Sequence, residues 1–169
     1  MNRLSHIQSK IISLDEASRK AEMDRLKNKK VVFTNGCFDL LHLGHITYLA
    51  EAASLGDKLF VAVNDDASVR ALDKGANRPI NPEFARVMVL AALGVVDHII
   101  VFSEDTPLNT ILAIKPDLIV KGGDYDADIL DPRDKRYIVG KKEAEAWGGI
   151  VQTIPLVEGY STTGLLAKR

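Results

Sequence analysis

Short apolar runs recur along most of the chain and are separated by segments with helical periodicity. The runs are rich in Val, Ile, Leu and Phe, a composition that favours β-strands. They are VVF at 31–33, LFVAV at 59–63, HIIVF at 98–102, DLIV at 117–120 and IVQTI at 150–154. Because these runs are continuously apolar, they are typical of strands covered on both faces, as in a parallel sheet.

Helix signals lie before and between these runs. Ser13 is followed three residues later by Glu16, a capping box that predicts a peripheral helix reaching about Leu26. Three further segments carry helical spacing or helix-end residues: Ile46 to Ala53 before Gly56, Pro82 to Gly94, and Thr106-Pro107 to the residue before Pro116.

Strand and helix therefore alternate, which predicts an α/β fold with a Rossmann-like, doubly wound sheet of about five parallel strands and helices on both faces. We expect a single domain over 1–169, in which 1–29 form a peripheral N-terminal helix and 30–169 form the α/β core. In such a fold, ligands bind at the carboxyl ends of the strands, near the point where the strand order reverses. Chemistry is expected at that edge of the sheet.

Composition narrows the classes of partner. The chain has 46% hydrophobic and 27% charged residues and a formal net charge of -1, so it has no general attraction for nucleic acid or an anionic membrane. Cys37 is the only cysteine, which excludes an internal disulfide. Residues 1–10 have no apolar stretch of the length a signal peptide or membrane span needs. We therefore expect a cytoplasmic protein.

The most informative stretch follows the first strand and runs from Thr34 to His45. Gly36 and Gly44 allow a close approach of backbone to a ligand, and the exposed amides of the following helix suit phosphate oxygens. His42 and His45 are three residues apart and can donate to the same anion. Taken alone, the pair also has a purely structural interpretation, in which His42 caps a turn and His45 packs under the sheet. A zinc site is disfavoured because no other His or Cys cluster supplies further ligands.

The segment TNGCFDLLHLGHITYL resembles the signature of the cytidylyltransferase-like nucleotidyltransferase superfamily with its HxGH motif. Five later blocks resemble one branch, the D-glycero-D-manno-heptose 1-phosphate adenylyltransferases. They are VNDDASVRAL, NRPINPEFARVMVLAALGVVDHIIVF, PDLIVKGGDY, WGGIVQTIPL and GYSTTGLL. The resemblance covers about Val31 to Lys168 in unbroken order. It implies transfer of AMP from ATP to a heptose 1-phosphate, with release of pyrophosphate, for lipopolysaccharide core or related surface glycans.

The resemblance also implies site residues. It assigns His42 and His45 to the nucleotide phosphates as catalytic groups, and Thr34, Asn35, Gly36, Cys37 and Phe38 to the wall around the nucleotide. From its place after the fourth strand, Lys121 is predicted as a further catalytic group. Further nucleotide contacts are predicted from glycine turns and from the start of a helix, at Gly44, Gly122, Asp124, Ser161, Thr162 and Thr163.

Some of these assignments have an alternative from the residues themselves. Cys37 is equally a small packed hydrophobe. Lys121 follows the fourth strand, where it can reach phosphate as a point charge or remain a solvated lysine. Asp124 either holds the glycine turn or binds a hydroxyl, and the hydroxyls at Ser161 to Thr163 can cap a helix while their amides face phosphates.

Contacts to the acceptor are expected from a further set: Asp39, Asn64, Asp65, Arg78 and Arg86. Four of them have a structural alternative: Asp39 can stabilise a turn, Asn64 and Asp65 can cap the next helix, and Arg86 can be ion-paired. The charged run at 131–136 is either a solvated loop or a lid that brings positive charge to the phosphates.

The expected partners are ATP and a sugar phosphate, with Mg²⁺ held mainly by substrate phosphates because the sequence shows no carboxylate cage. By resemblance we expect a homo-oligomer, dimer or tetramer, and a separate sugar kinase in the same pathway. Two other functions stay open: a CTP-dependent glycerol-phosphate or ethanolamine-phosphate cytidylyltransferase, and a catalytically silent nucleotide-binding module.

Overall fold

Five parallel strands form one sheet in the computed structural model, which describes residues 2–72 and 78–166 apart from the side chains of Thr163 and Leu166. The strands are β1 Val31–Gly36, β2 Lys58–Asn64, β3 His98–Phe102, β4 Leu118–Gly122 and β5 Ile150–Ile154. Each predicted strand is present, and β3 and β5 have the predicted bounds.

The strand order is β3-β2-β1-β4-β5, and every neighbouring pair is parallel. The chain builds outward from β1 to β2 and β3, and then returns to the other side of β1 with β4. This confirms the predicted α/β, Rossmann-like sheet. The order reverses between β1 and β4, so their carboxyl ends mark the place where a ligand is expected.

Eight helices occur within the described residues. They are α1 Arg3–Gln8, α2 Leu14–Leu26, α3 Leu43–Ser54, α4 Asp66–Ala71, α5 Glu83–Ala91, α6 Leu108–Ile114, α7 Lys141–Ala146 and α8 Thr162–Leu166. The four helices that the sequence delimits are α2, α3, α5 and α6. No helix in this part of the chain is long and apolar enough to span a membrane.

Both faces of the sheet are covered, because successive strand side chains point to opposite sides. Val32 and Leu118 face a cluster that includes Leu49 of α3 and Leu90 of α5. On the other face, Phe33, Phe60 and Ile119 pack with residues of α2, α6 and α7. This double burial explains why β1 to β4 are largely apolar in sequence. For β5 the prediction of burial on both faces is wrong, because this edge strand alternates exposed and partly buried residues before the buried Ile154.

The N-terminal segment closes one side of the sheet. Ile11 forms a parallel bridge with Ile99 of β3, and backbone bonds of 2.9 Å and 2.8 Å join Ile12 and Lys10 to the same residue. The Ser13 side chain accepts from the amide of Glu16 at 3.2 Å, which caps α2 as predicted. Residues 10–12 and α2 thus pack on the core from outside the five strands.

Candidate active site

A cavity of about 760 Å³ lies at the carboxyl ends of the strands, beside the reversal point. Its wall is formed mainly by the loop from β1 into α3, the end of β4 and the segment before α8. Of the residues predicted from the sequence, the wall contains Asn35, Gly36, Cys37, Phe38, Asp39, His42, Gly44, His45, Asn64, Arg78, Lys121, Gly122, Asp124, Ser161 and Thr162.

The two imidazoles lie against each other at one side of this cavity. The ring centroids of His42 and His45 are 3.9 Å apart with an angle of 30° between the ring planes. His42 is the N-cap of α3, whose first intrahelical bond runs from the Ile46 amide to the His42 carbonyl. The preceding amides therefore have no acceptor within the helix, and with the helix dipole they favour an anion here.

Burial lowers the pKa values of both histidines and so favours their neutral forms. Burial lowers the pKa of His45 to about 4; the neighbouring His42 lowers it further, and the Leu40 backbone opposes both effects. Burial also lowers the pKa of His42. In this state each ring can donate one hydrogen bond to phosphate without carrying a full charge.

This depressed pKa predicts a pH-dependent stability. Since His45 titrates at about 4 in the folded chain and near 6.5 when unfolded, the unfolded state binds more protons between these values. Its contribution is present above pH 6.5 and is lost as the pH falls towards 4. The urea midpoint should therefore fall less steeply over this range in His45→Gln than in the wild type. Equal slopes for the two proteins would contradict the assignment.

Lys121, near the end of β4, brings a positive charge to the same cavity. Its side chain is buried, and Nζ donates to Asn35 Oδ1 at 2.8 Å while lying 4.5 Å from the ring centroid of Tyr125. Amide and ring together hold the ammonium group in place at the cavity wall. The lysine is thus fixed beside the loop that leads from β1 into α3.

The two glycines of the motif make room for side chains. A Cβ on Gly44 would lie 3.0 Å from Cε1 of His42, and one on Gly36 would lie 3.1 Å from the Phe38 ring. Phe38 itself has a positive φ of 47° and packs its ring 5.5 Å from that of His45. The absence of a Cβ at the two glycines therefore leaves room for the rings of Phe38 and His42 beside the loop.

Two of the acceptor candidates form a buried ion pair. The Asp39 carboxylate is fully buried and accepts from the amides of Ile80 and Asn81, each at 2.9 Å. It also lies 2.5 Å from Nε of Arg78. Asp39 thus holds the segment that carries Arg78, and Arg78 presents its charge at the wall.

The other acceptor candidates divide between wall and scaffold. Asn64 lies at the wall, while Asp65 caps α4 by accepting from the Ser68 amide at 2.6 Å. Arg86 is buried outside the wall, where it donates to the Cys37 carbonyl at 2.7 Å and pairs with Asp66 at 2.8 Å. Arg86 and Asp65 therefore serve the loops around the cavity in this structure.

Three candidates before α8 and on β1 have mixed positions. Ser161 lies at the wall and accepts from the Gly164 amide at 3.0 Å, so capping and wall position coexist. Thr34 is buried behind the wall and contacts Tyr48. The side chain of Thr163 lies outside the described part of the structure.

Comparisons with known proteins agree with this geometry. The model of the family described as cytidylyltransferase-like matches residues 33–166. The chain belongs to this family. It is 48% identical over 158 residues to bifunctional protein HldE of Pseudomonas fluorescens, covering 94% of this chain and 31% of the relative. It is 46% identical over 161 residues to bifunctional protein HldE of Koribacter versatilis, covering 95% and 31%. The chain thus spans about a third of the length of these relatives.

A solved structure is also similar to this cytidylyltransferase-like chain. It is the lipopolysaccharide core biosynthesis protein from Thermoplasma volcanium, with a TM-score of 0.59 and 32% sequence identity. The match covers 79% of this chain and 99% of that one. The region of likeness includes most of the fold.

Some residues of the cavity wall were not predicted from the sequence. The additional residues are Tyr48, Leu72, Phe102, Asp105, Thr106, Pro107, Tyr125, Val139, Leu156, Val157 and Tyr160. Two signals in the sequence point to some of them. Tyr48 follows His45 by about one helical turn. Phe102 ends a strand, and Asp105 to Pro107 come soon after it, where the carboxyl end of that strand meets the same edge of the sheet. The rest belong to loops without a local pattern.

The charged run at 131–136 lies away from the wall of the cytidylyltransferase-like cavity. Arg133 pairs with Asp131 at 2.9 Å, and Arg136 pairs with Asp134 at 3.1 Å. Both arginines are exposed, so these pairs are weak and easily exchanged for contacts with an anion. Lid function stays a prediction.

Proposed function

We propose that this chain transfers AMP from ATP to D-glycero-D-manno-heptose 1-phosphate, giving ADP-heptose and pyrophosphate for lipopolysaccharide core or related surface glycans. The observation that carries the proposal is the convergence of the His42 and His45 rings, the start of α3 and Lys121 on one cavity. Such an arrangement suits the charge that develops when a phosphoryl centre is attacked. The relative named for lipopolysaccharide core biosynthesis supports the choice of pathway.

The reaction is an in-line displacement at the α-phosphorus of ATP. An oxygen of the acceptor phosphate forms the new P–O bond, and the bond from the α-phosphorus to the bridging oxygen breaks. Pyrophosphate leaves with the electron pair. Because the attacking phosphate is already an anion, no strong general base is needed, and the protein mainly positions the groups and stabilises charge.

Each of the three proposed catalytic side chains has a distinct part. The imidazoles of His42 and His45 donate hydrogen bonds to the triphosphate, and their pKa values rise towards neutrality as its negative charge approaches. Lys121, near the end of β4, neutralises further negative charge of the triphosphate. Arg78, at the wall, is placed to bind the acceptor phosphate, with Asp39 keeping it in position.

Mg²⁺ is part of the proposal as a substrate-bound ion. The described residues contain no group of three or more His, Cys, Asp or Glu side chains that could hold a metal. In the proposed reaction the ion is bound mainly through substrate phosphates and water. When bound, Mg²⁺ supplies charge neutralisation of the triphosphate.

The proposal extends to partners. The matched relatives are bifunctional and about three times as long as the matched region, which leaves room in them for a second domain. A separate sugar kinase would supply the heptose 1-phosphate here. A homo-oligomer in the cytoplasm is the setting we propose for the reaction.

Pyrophosphate release tests the proposal. The assay contains Mg²⁺ and a matrix of ATP, CTP, GTP and UTP against heptose 1-phosphate, glycerol 3-phosphate and ethanolamine phosphate. Turnover with ATP and the heptose phosphate alone is the expected result. Turnover with CTP and a glycerol or ethanolamine phosphate would make the chain a cytidylyltransferase, and silence throughout, with nucleotide still bound, would make it a binding module.

A further inference from the structure

Tyr48 is a partly buried tyrosine on α3 whose hydroxyl contacts two different strands. It donates to the Val120 carbonyl on β4 at 2.9 Å. The Thr34 hydroxyl on β1 lies 2.7 Å from the same oxygen, and it is the donor there because the phenol proton points to Val120. Burial raises the pKa of the Tyr48 phenol, so the group keeps its proton.

These bonds lie where the sheet divides. The ladder between β1 and β4 consists of two pairs and ends at Phe33 and Ile119, although both strands continue beyond it. By contrast, β4 and β5 remain paired as far as Gly122. The two central strands therefore separate at their carboxyl ends, under the cavity.

Side chains replace the missing ladder. If the register continued, Thr34 would pair with Val120, and Asn35 would pair with Lys121. Instead the Tyr48 hydroxyl joins the Thr34 hydroxyl to the Val120 carbonyl. At the next position, Nζ of Lys121 donates to the side-chain oxygen Oδ1 of Asn35 at 2.8 Å. Two successive side-chain bridges thus span the gap, and one of them originates on α3.

We propose that Tyr48 is a positioning residue that sets the separation of β1 from β4 and fixes the start of α3 over the gap. The inference rests on the proposed function, because it concerns how the catalytic groups are held. Tyr48 follows His45 by three residues, and Val120 directly precedes Lys121. One hydroxyl therefore fixes the distance between the imidazoles on one side and the ammonium group on the other, and small errors in such distances slow a reaction strongly.

Tyr48→Phe is the decisive variant, because it keeps the ring and removes the hydroxyl. We expect kcat to fall about tenfold while KM for ATP stays within about twofold, since the groups are present but displaced. The matched control is Tyr137→Phe, at a half-buried tyrosine away from the wall, which should change neither constant. A lower unfolding temperature with unchanged kcat would reduce Tyr48 to a structural brace and overturn the proposal.

Thr34→Val breaks the bridge from the β1 side. If the shared hydroxyl carries the effect, this variant should also lose kcat, and the double variant with Tyr48→Phe should be about as slow as the slower single one. Multiplying effects would show that the two residues act separately, against the proposal.

A spectroscopic measurement makes the test independent of turnover. The imidazole proton resonances of His42 and His45 should shift in Tyr48→Phe, while those of the distant His6 and His98 should not. Unshifted resonances of the site histidines would overturn the positioning role even if the wild type turned over nothing. Wild-type silence in the pyrophosphate assay would instead count against the proposed function alone.

Discussion

His45→Ala should lower kcat by about 10²–10³-fold and leave the fold intact, the loss typical of one preorganised donor to a charged transition state. The expectation follows from the site: the His45 ring stacks on His42 at 3.9 Å at the cavity wall, where its pKa of about 4 keeps it neutral until the triphosphate arrives. Removing the ring removes both its hydrogen bond and its capacity to become cationic.

The measurement is steady-state pyrophosphate release, with circular dichroism to verify folding. His6→Ala is the matched control, because it makes the same exchange at an exposed position on α1 and should leave turnover unchanged. A folded His45→Ala protein with wild-type turnover would remove His45 from the mechanism.

Lys121→Met should lower kcat/KM by about 10²-fold, because Met fills nearly the same volume without the charge. The ammonium group is buried, lies against the Tyr125 ring and bonds Asn35 at 2.8 Å. These contacts fix its place at the cavity wall, so it would need little rearrangement to stabilise the negative charge of the leaving pyrophosphate.

Two further variants separate charge from shape at this position. Lys121→Arg keeps the charge but adds a planar head group that does not fit the contact with Asn35, so it should restore only part of the rate. Lys142→Met, at an exposed position on α7, should be silent. Full activity in Lys121→Met would show that the lysine only braces the loop.

Strands β1 to β4 were predictable because they are largely buried on both faces. HIIVF at 98–102 coincides with β3, and its uninterrupted apolar character follows from core clusters on either side. By contrast, α1 was missed because RLSHIQ has no apolar stripe, and its main signal is the Asn2 side chain that caps it at Ser5. The six-residue helices α4 and α7 are likewise too short to show a helical period.

The site was predictable where a motif is local and hidden where contacts are distant in sequence. His42, Gly44 and His45 lie within one turn, so their convergence follows from helical spacing. Arg86 reaches the Cys37 carbonyl 49 residues away, and Asp39 reaches the Ile80 amide 41 residues away. No spacing rule along one chain reports such contacts, so the roles of these side chains in holding the loops became visible only in three dimensions.

The contact of residues 10–12 with β3 also affects whether this edge strand can pair with a strand of another copy of the protein. An uncovered outer strand offers free amide and carbonyl groups to any strand that approaches, which is a common route to aggregation. Here the amide and carbonyl of Ile99 are already bonded to Lys10 and Ile12. Loss of this short segment would leave the cavity wall untouched and yet open the apolar β3 to another chain, so residues 10–12 protect this edge of the sheet.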